Sequence, residues 1–196
     1  MITIGVDPGT TSTGVAVFKE RTANYDELLF SSQGKPTEVI DEAINVIRKQ
    51  GERTKIVAVE NLYPGPGKAG PKSIYTLGAS TGFIIGTLKH AGVYDKDTWL
   101  WRPYPVTWRK HILVPMGGGE TTLNAKSREK AADMAIQFAQ AVAQDAMLGP
   151  RGGPQVDRAM AICIGVSAQI EHTKCRAKAT GVEGWMKISS GSKLTK

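Results

Sequence analysis

Cysteine is scarce in this chain of 196 residues: there are two, Cys163 and Cys175, and they form neither a CxxC pair nor a dense, disulfide-like pattern. That usage points to free thiols in a reducing, intracellular compartment and away from a structural zinc. Long apolar runs are lacking too. The longest, Gly82 to Leu88, is far too short to span a bilayer. The chain opens on strand-forming residues with no basic leader and no apolar stretch behind one, so no signal peptide is expected and the protein reads as soluble. No internal repeat is present. The loop Gly65 to Ser73 has the placing of a phosphate-binding loop but lacks its Gly-Lys-Ser/Thr ending: Pro71 stands where the lysine belongs, and it removes a backbone donor.

What is present is an excess of positive charge and enough apolar residue for one core. Lys and Arg number 25 against 18 acids, a formal charge of +7, which favours an anionic partner such as nucleic acid. A hydrophobic content of 41% supports a single globular domain over residues 1–170, followed by a basic tail from Glu171 to Lys196 with the composition of a flexible arm.

Along the chain, Thr3–Val6, Val15–Phe18 and Glu27–Ser31 read as strands joined by short turns, an antiparallel meander. Thr37–Arg48 carries Val39, Ile40, Ala43, Ile44 and Ile47 at helical spacing, with Pro36 before it and Gly51 after it. The strand Ile56–Glu60 then returns the chain to the same sheet by a crossover. Pro64–Pro71 reads as an exposed loop and Ser73–Lys89 as a helix, with Gly78, Gly82 and Gly86 along one stripe. That stripe fits tight packing on the sheet and a helix-to-helix subunit contact equally well. Further on come a strand at Thr98–Arg102, a short helix from Pro105 to His111, a loop at Gly117–Gly119, a helix over Ala125–Ala143, and a last helix from about Gln155 to Ile170.

Three acids stand out against this frame. Asp7 and Glu60 each end a short apolar strand, and Asp157 opens the last helix on its core-facing side. Carboxylates beside apolar runs cost free energy unless paired, and neighbouring ones repel until a cation neutralises them. Convergence of the three at one edge of the sheet would make a divalent metal site.

The motifs Ile4-Gly5-Val6-Asp7-Pro8-Gly9, Val59-Glu60-Asn61-Leu62-Tyr63, Leu77-Gly78-Ala79-Ser80-Thr81-Gly82, Pro105 to Arg109 and Asp157-Arg158-Ala159-Met160-Ala161-Ile162 occur in this order over most of the chain, roughly Ile2 to Gln169. In that order the sequence resembles the RuvC family of Holliday junction resolvases, in the RNase H-like nuclease superfamily. The resemblance implies an α/β, RNase H-like fold with a five-stranded mixed sheet flanked by helices. It also implies a homodimeric, structure-selective endonuclease of DNA recombination and repair, cutting four-way junctions by paired hydrolysis. Its carboxylates, Asp7, Glu60 and Asp157, would hold two Mg2+ ions about 4 Å apart, with Mn2+ able to substitute. Arg109 and Lys126 match basic residues near the scissile phosphate, and Tyr63 an aromatic that stacks on an unpaired base for about 1–3 kcal/mol. Lys68, Lys72, Lys110 and Arg128 would contact phosphates, and Gly78, Gly82 and Gly86 would form the dimer face. A cytoplasmic or nucleoid-associated setting in bacteria or a phage-infected cell follows, and an organelle fits as well.

One departure is visible: Pro154 stands where the family places a fourth ligand, and Asp145 is the nearest acid upstream. Three other readings stay open. One is a nuclease acting on forks and flaps, and another is a junction-binding protein that does not cut. The third rests on Asp7-Pro8-Gly9-Thr10-Thr11, which looks like the first phosphate loop of actin-like and sugar-kinase ATPases, although those need a second domain and a second Asp-Gly motif.

Overall fold

The computed structural model describes residues 1–20, 26–61, 71–118, 128–149 and 153–179. Five strands, β1 (Ile2–Asp7), β2 (Thr13–Lys19), β3 (Glu27–Gly34), β4 (Thr54–Val59) and β5 (Trp99–Trp101), form one sheet in the order β3-β2-β1-β4-β5. The β1–β2 and β2–β3 pairs are antiparallel, whereas β4 lies parallel to both β1 and β5. The sheet is therefore mixed: a meander, then the crossover that the apolar run before Glu60 predicts.

Side-chain alternation divides the sheet into two faces. Ile2, Ile4 and Val6 of β1, with Val15, Val17, Val57 and Val59, cover one face and pack with helices α1 (Pro36–Gln50) and α2 (Pro71–His90). The stripe read from the sequence of α1, Val39 to Ile47, is buried there, and Gly51 closes that helix in the left-handed region at φ 65°. Ala16, Phe18, Ile56 and Ala58 point to the other face, against α3 (Pro105–Ile112), α4 (Arg128–Ala143) and α5 (Val156–Ala179). By the same alternation Asp7 shares this second face with Gly5, and Glu60 follows the parity of Ile56 and Ala58.

Helix α5 crosses β1 and β2 at a distance only glycine allows. A Cβ on Gly5 would lie 2.3 Å from the carbonyl oxygen of Ala161, and one on Gly14 would lie 1.9 Å from that of Asp157. The helix also runs to Ala179, nine residues beyond the end expected from composition. Its last turns are held by packing: the His172 ring lies 5.4 Å from that of Trp99, and Glu171 reaches His111. Strand β3 likewise extends past Ser31 to Gly34, because β2 supplies partners as far as Thr13. Both cysteines are free, Cys163 buried and Cys175 exposed. Among the described residues no helix is long and apolar enough to cross a membrane.

Candidate active site

Parallel pairing of β1 with β4 aligns Val6 with Val59, and the Glu60 amide donates to the Val6 carbonyl at 3.0 Å. The two strand-end acids thus stand side by side, on the face covered by α5. Glu60 is buried, and its Oε1 accepts a hydrogen bond from the indole N–H of fully buried Trp108 at 2.6 Å. Asp7 keeps some surface open to solvent, and its carboxyl is hydrogen-bonded to that of Glu60. Burial, reinforced by the charges of Glu60 and Asp157, lifts Asp7 well above the usual carboxylate range. Glu60 is raised by burial as well, opposed by the Trp108 hydrogen bond and the positive charge of Arg109. Two carboxyls this close titrate as a unit, so the pair keeps a proton where an ordinary aspartate has lost one.

Asp157, in the first turn of α5, completes the group of acids. Its Oδ2 accepts a hydrogen bond from the Ser12 hydroxyl, in the turn between β1 and β2. That turn is pinned from two sides. The Gly9 amide donates to Thr13 Oγ1 at 3.2 Å, and the Ser80 hydroxyl of α2 donates to the Gly9 carbonyl at 2.7 Å. Thr10 and Thr11 accordingly sit in the turn of an antiparallel hairpin in which Asp7 faces Gly14, as turn residues should.

Arg109 supplies the positive charge. It is nearly buried on α3, its guanidinium carbon 5.4 Å from the Trp108 ring centroid, within cation–π range. Its charge favours the ionised forms of both Asp7 and Glu60. A guanidinium that stays charged at any working pH is thereby placed beside a buried acid pair.

Such a donor set suits a hard divalent cation, because oxygen ligands carrying an excess of negative charge are what Mg2+ and Mn2+ bind. The side chains as they stand are not gathered around one point. Among the described residues no three acidic, His or Cys groups are close enough to share an ion. Asp7 and Glu60 face each other, while Asp157 is held by Ser12.

The other expected positions fall out unevenly. Lys110 is exposed on α3, and its charge is felt at His111 rather than at the acids. Lys72 and Arg128 belong to the first turns of α2 and α4, but their side chains lie outside the described residues, as do Tyr63, Lys68 and Lys126. Gly78, Gly82 and Gly86 do form one stripe, and it faces outward: a Cβ at any of them would meet nothing within 4 Å. Packing on the sheet is done instead by Thr81, Ile84 and Leu88 of the same helix. Pro154 is exposed and bridges Leu148, and Asp145 is taken by Arg158 at 2.5 Å, so neither adds a ligand beside the three acids. Sequence reasoning missed Ser12 and Trp108. Trp108 adjoins Arg109 within the motif from Pro105, and only the three-dimensional arrangement reveals its bond to Glu60.

No protein-family model and no curated protein sequence matches the chain. Several solved structures do. The Thermus thermophilus RuvC bound to a Holliday junction substrate superposes with a TM-score of 0.56 at 15% identity, over 85% of this chain and 92% of that one. A fowlpox virus resolvase in complex with Holliday junction DNA gives 0.50 at 17% identity, over 85% and 95%. The yeast mitochondrial Holliday junction resolvase gives 0.50 at 12%, over 90% and 83%. The chain therefore has the RNase H-like fold of the RuvC-type resolvases, with the acid pair Asp7 and Glu60 at the ends of the two parallel strands β1 and β4.

Proposed function

We propose that this protein is a metal-dependent, structure-selective endonuclease that resolves four-way DNA junctions. The observation that carries the proposal is the placing of two carboxyls, Asp7 and Glu60, side by side at the ends of parallel strands, with Asp157 on the helix packed over them and the Arg109 charge beside them. A purely DNA-binding surface gains nothing from carboxylates held next to phosphates. Likeness of fold to resolvases that were solved with junction DNA supports the choice of substrate.

In this reading Asp7, Glu60 and Asp157 would hold Mg2+ or Mn2+, two ions per site. Bound there, such ions would supply activation of a water and neutralisation of charge on the phosphodiester. The rest is done by the chain itself. Trp108 fixes the Glu60 carboxyl, Ser12 orients the Asp157 carboxylate, and Arg109 offsets the negative charge that the phosphate brings. Lys126 assists at the scissile phosphate. Tyr63, Lys68, Lys72, Lys110 and Arg128 contact the junction, so binding weakens steeply as salt rises.

Symmetric nicks need two sites, so the proposal includes a homodimer through the outer face of α2. There Ile74, Tyr75 and Phe83 are exposed around Gly78, Gly82 and Gly86, the tyrosine to 79%. Aromatic and aliphatic side chains flanking bare backbone make a surface that a second helix can approach closely.

The test uses labelled four-way junction, fork and linear duplex with Mg2+, Mn2+ or chelator, for the parent and Asp7→Asn. Metal-dependent paired cuts in the junction, lost in Asp7→Asn while junction binding persists, are expected. Equal cutting of linear duplex would refute junction selectivity, and binding without any metal-dependent cut would make the protein a non-cleaving junction binder. Sedimentation as a monomer both alone and on the junction would remove the dimer.

A further inference from the structure

We infer that His111 is a positioning residue for this site: through Ser167 and Trp101 it bolts α3 onto α5 and β5, and so fixes where Trp108 and Arg109 meet the acids. The inference rests on the nuclease reading for its consequence in catalysis, and on geometry alone for the bolt.

Helix α3 needs such an anchor. It has eight residues, and its N-cap, Tyr104, makes no side-chain capping bond. Helices this short are marginal by themselves and take their stability from tertiary contacts. Yet α3 carries both Trp108, which donates to Glu60, and Arg109, whose charge acts on the acid pair. Trp108 anchors one side of the helix. Ile112 is buried in the same core, but apolar contacts are non-directional, so a second hydrogen-bonded side chain is what fixes the rotation that aims Arg109 at Asp7 and Glu60.

His111 is that second point, three residues after Trp108 and so on an adjoining face. Its Nδ1 lies 2.7 Å from the hydroxyl of Ser167, which is fully buried on α5. Its Nε2 lies 3.3 Å from Glu171 Oε2 and 3.4 Å from Lys174 Nζ, both on α5. The imidazole also stacks on Trp101 of β5, with ring centres 6.3 Å apart and planes 9° from parallel. Trp101 is backed in turn by Trp99 at 6.0 Å, and Trp99 by His172 at 5.4 Å. One ring thus joins a short helix to the helix that carries Asp157 and to the edge strand. The bolt explains why polar residues as late as Glu171 to Lys174 are helical.

Two substitutions separate the parts. His111→Phe keeps a ring on Trp101 and removes both nitrogens. His111→Asn places an amide near the position of Nδ1 and restores the bond to Ser167. With saturating Mg2+, single-turnover cleavage of a four-way junction by His111→Phe is expected to fall about tenfold or more with junction Kd within about twofold, since small misplacements of catalytic groups act on rate. His111→Asn should recover most of the rate. Ser167→Ala should match His111→Phe, and the double variant should be no slower than either, as for one shared interaction. Hydrogen exchange on the protein without DNA or metal should show faster exchange of the α3 amides in His111→Phe and Ser167→Ala. Unchanged α3 exchange, or equal loss of rate and binding without rescue by Asn, would overturn the inference. If the parent cuts no branched DNA, the nuclease reading fails, while α3 exchange still decides whether His111 fixes the helix.

Discussion

Replacing Gly14 by alanine should displace Asp157 without touching any acid. The added methyl would sit 1.9 Å from the Asp157 carbonyl oxygen, 2.2 Å from its carbon and 2.8 Å from the Arg158 nitrogen, all backbone atoms. Ordinary contact begins near 3.4 Å, so β2 and the first turn of α5 must part by about 1.5 Å. Overpacking of this kind costs about 1–3 kcal/mol. In a chain of this length each kcal/mol shifts Tm by about 2–4 °C, so a fall of roughly 2–12 °C is expected in thermal unfolding. The effect on cleavage should be larger in proportion, because a misplacement of about 1 Å costs on the order of a hundredfold in rate. Cleavage of a labelled four-way junction, measured well below the melting transition, separates the two effects. Gly153→Ala is the control: nothing lies within 4 Å of its Cβ and its φ is not positive, so it should melt at or slightly above the parent. A Gly14→Ala protein that melts within a degree of the parent and cuts within twofold of its rate would refute the reasoning.

Trp108→Phe removes the donor that Glu60 holds at 2.6 Å, and a buried carboxyl left short of a partner should lower stability by about 1–3 kcal/mol, read as a fall in Tm. The raised Asp7 and Glu60 pair gives a pH signature: the folded state holds a proton the unfolded state has lost, so this contribution to metal-free stability falls as pH rises from the usual carboxylate range through the raised one. Glu52, Asp95 and Asp145 are shifted the other way, so the diagnostic is the difference between parent and Asp7→Asn in Tm against pH. Identical profiles would contradict it. At neutral pH, Mg2+ or Mn2+ should raise the parent's Tm, by about 2.7 kcal/mol of stability at a hundredfold excess over Kd, with no such rise in Asp7→Asn. Phe83→Glu should shift the sedimenting species toward monomer while leaving Tm at low protein concentration nearly unchanged, and a variant that stays dimeric would place the subunit contact elsewhere.

Much of the sheet was legible because its physics is local. Alternating Ile and Val around Gly5, and the run before Glu60, encode strands whose ends carry acids, and the spacing in α1 encodes a helix. The convergence of Asp7 with Glu60 follows from parallel pairing, which a crossover connection implies. Other features depend on partners distant in sequence. Glu171 to Lys174 has the composition of a tail, and it is helical because His111 and Trp99 receive it. The glycines of α2 have the same spacing whether they face a sheet or solvent, and only the burial of Thr81, Ile84 and Leu88 decides. Ser12 and Trp108 carry no local mark of their hydrogen bonds to Asp157 and Glu60. The resemblance located the motif around Trp108, but the fourth ligand that the family expects one turn before Asp157, an acid or histidine, falls on Pro154, which is exposed, and Asp145 is paired with Arg158.

The three acids come from β1, β4 and α5, near the beginning, the first third and the last quarter of the chain. During synthesis, Glu60 emerges before Asp157 by roughly 5–20 s at ~5–20 residues per second, and Asp7 earlier still. The nascent polypeptide therefore leaves the ribosome without its third acid, and premature termination before α5 yields a product with nothing to cover Gly5 and Gly14. In the proposed nuclease the group of acids is thus complete only once α5 has been made and packed on β1 and β2.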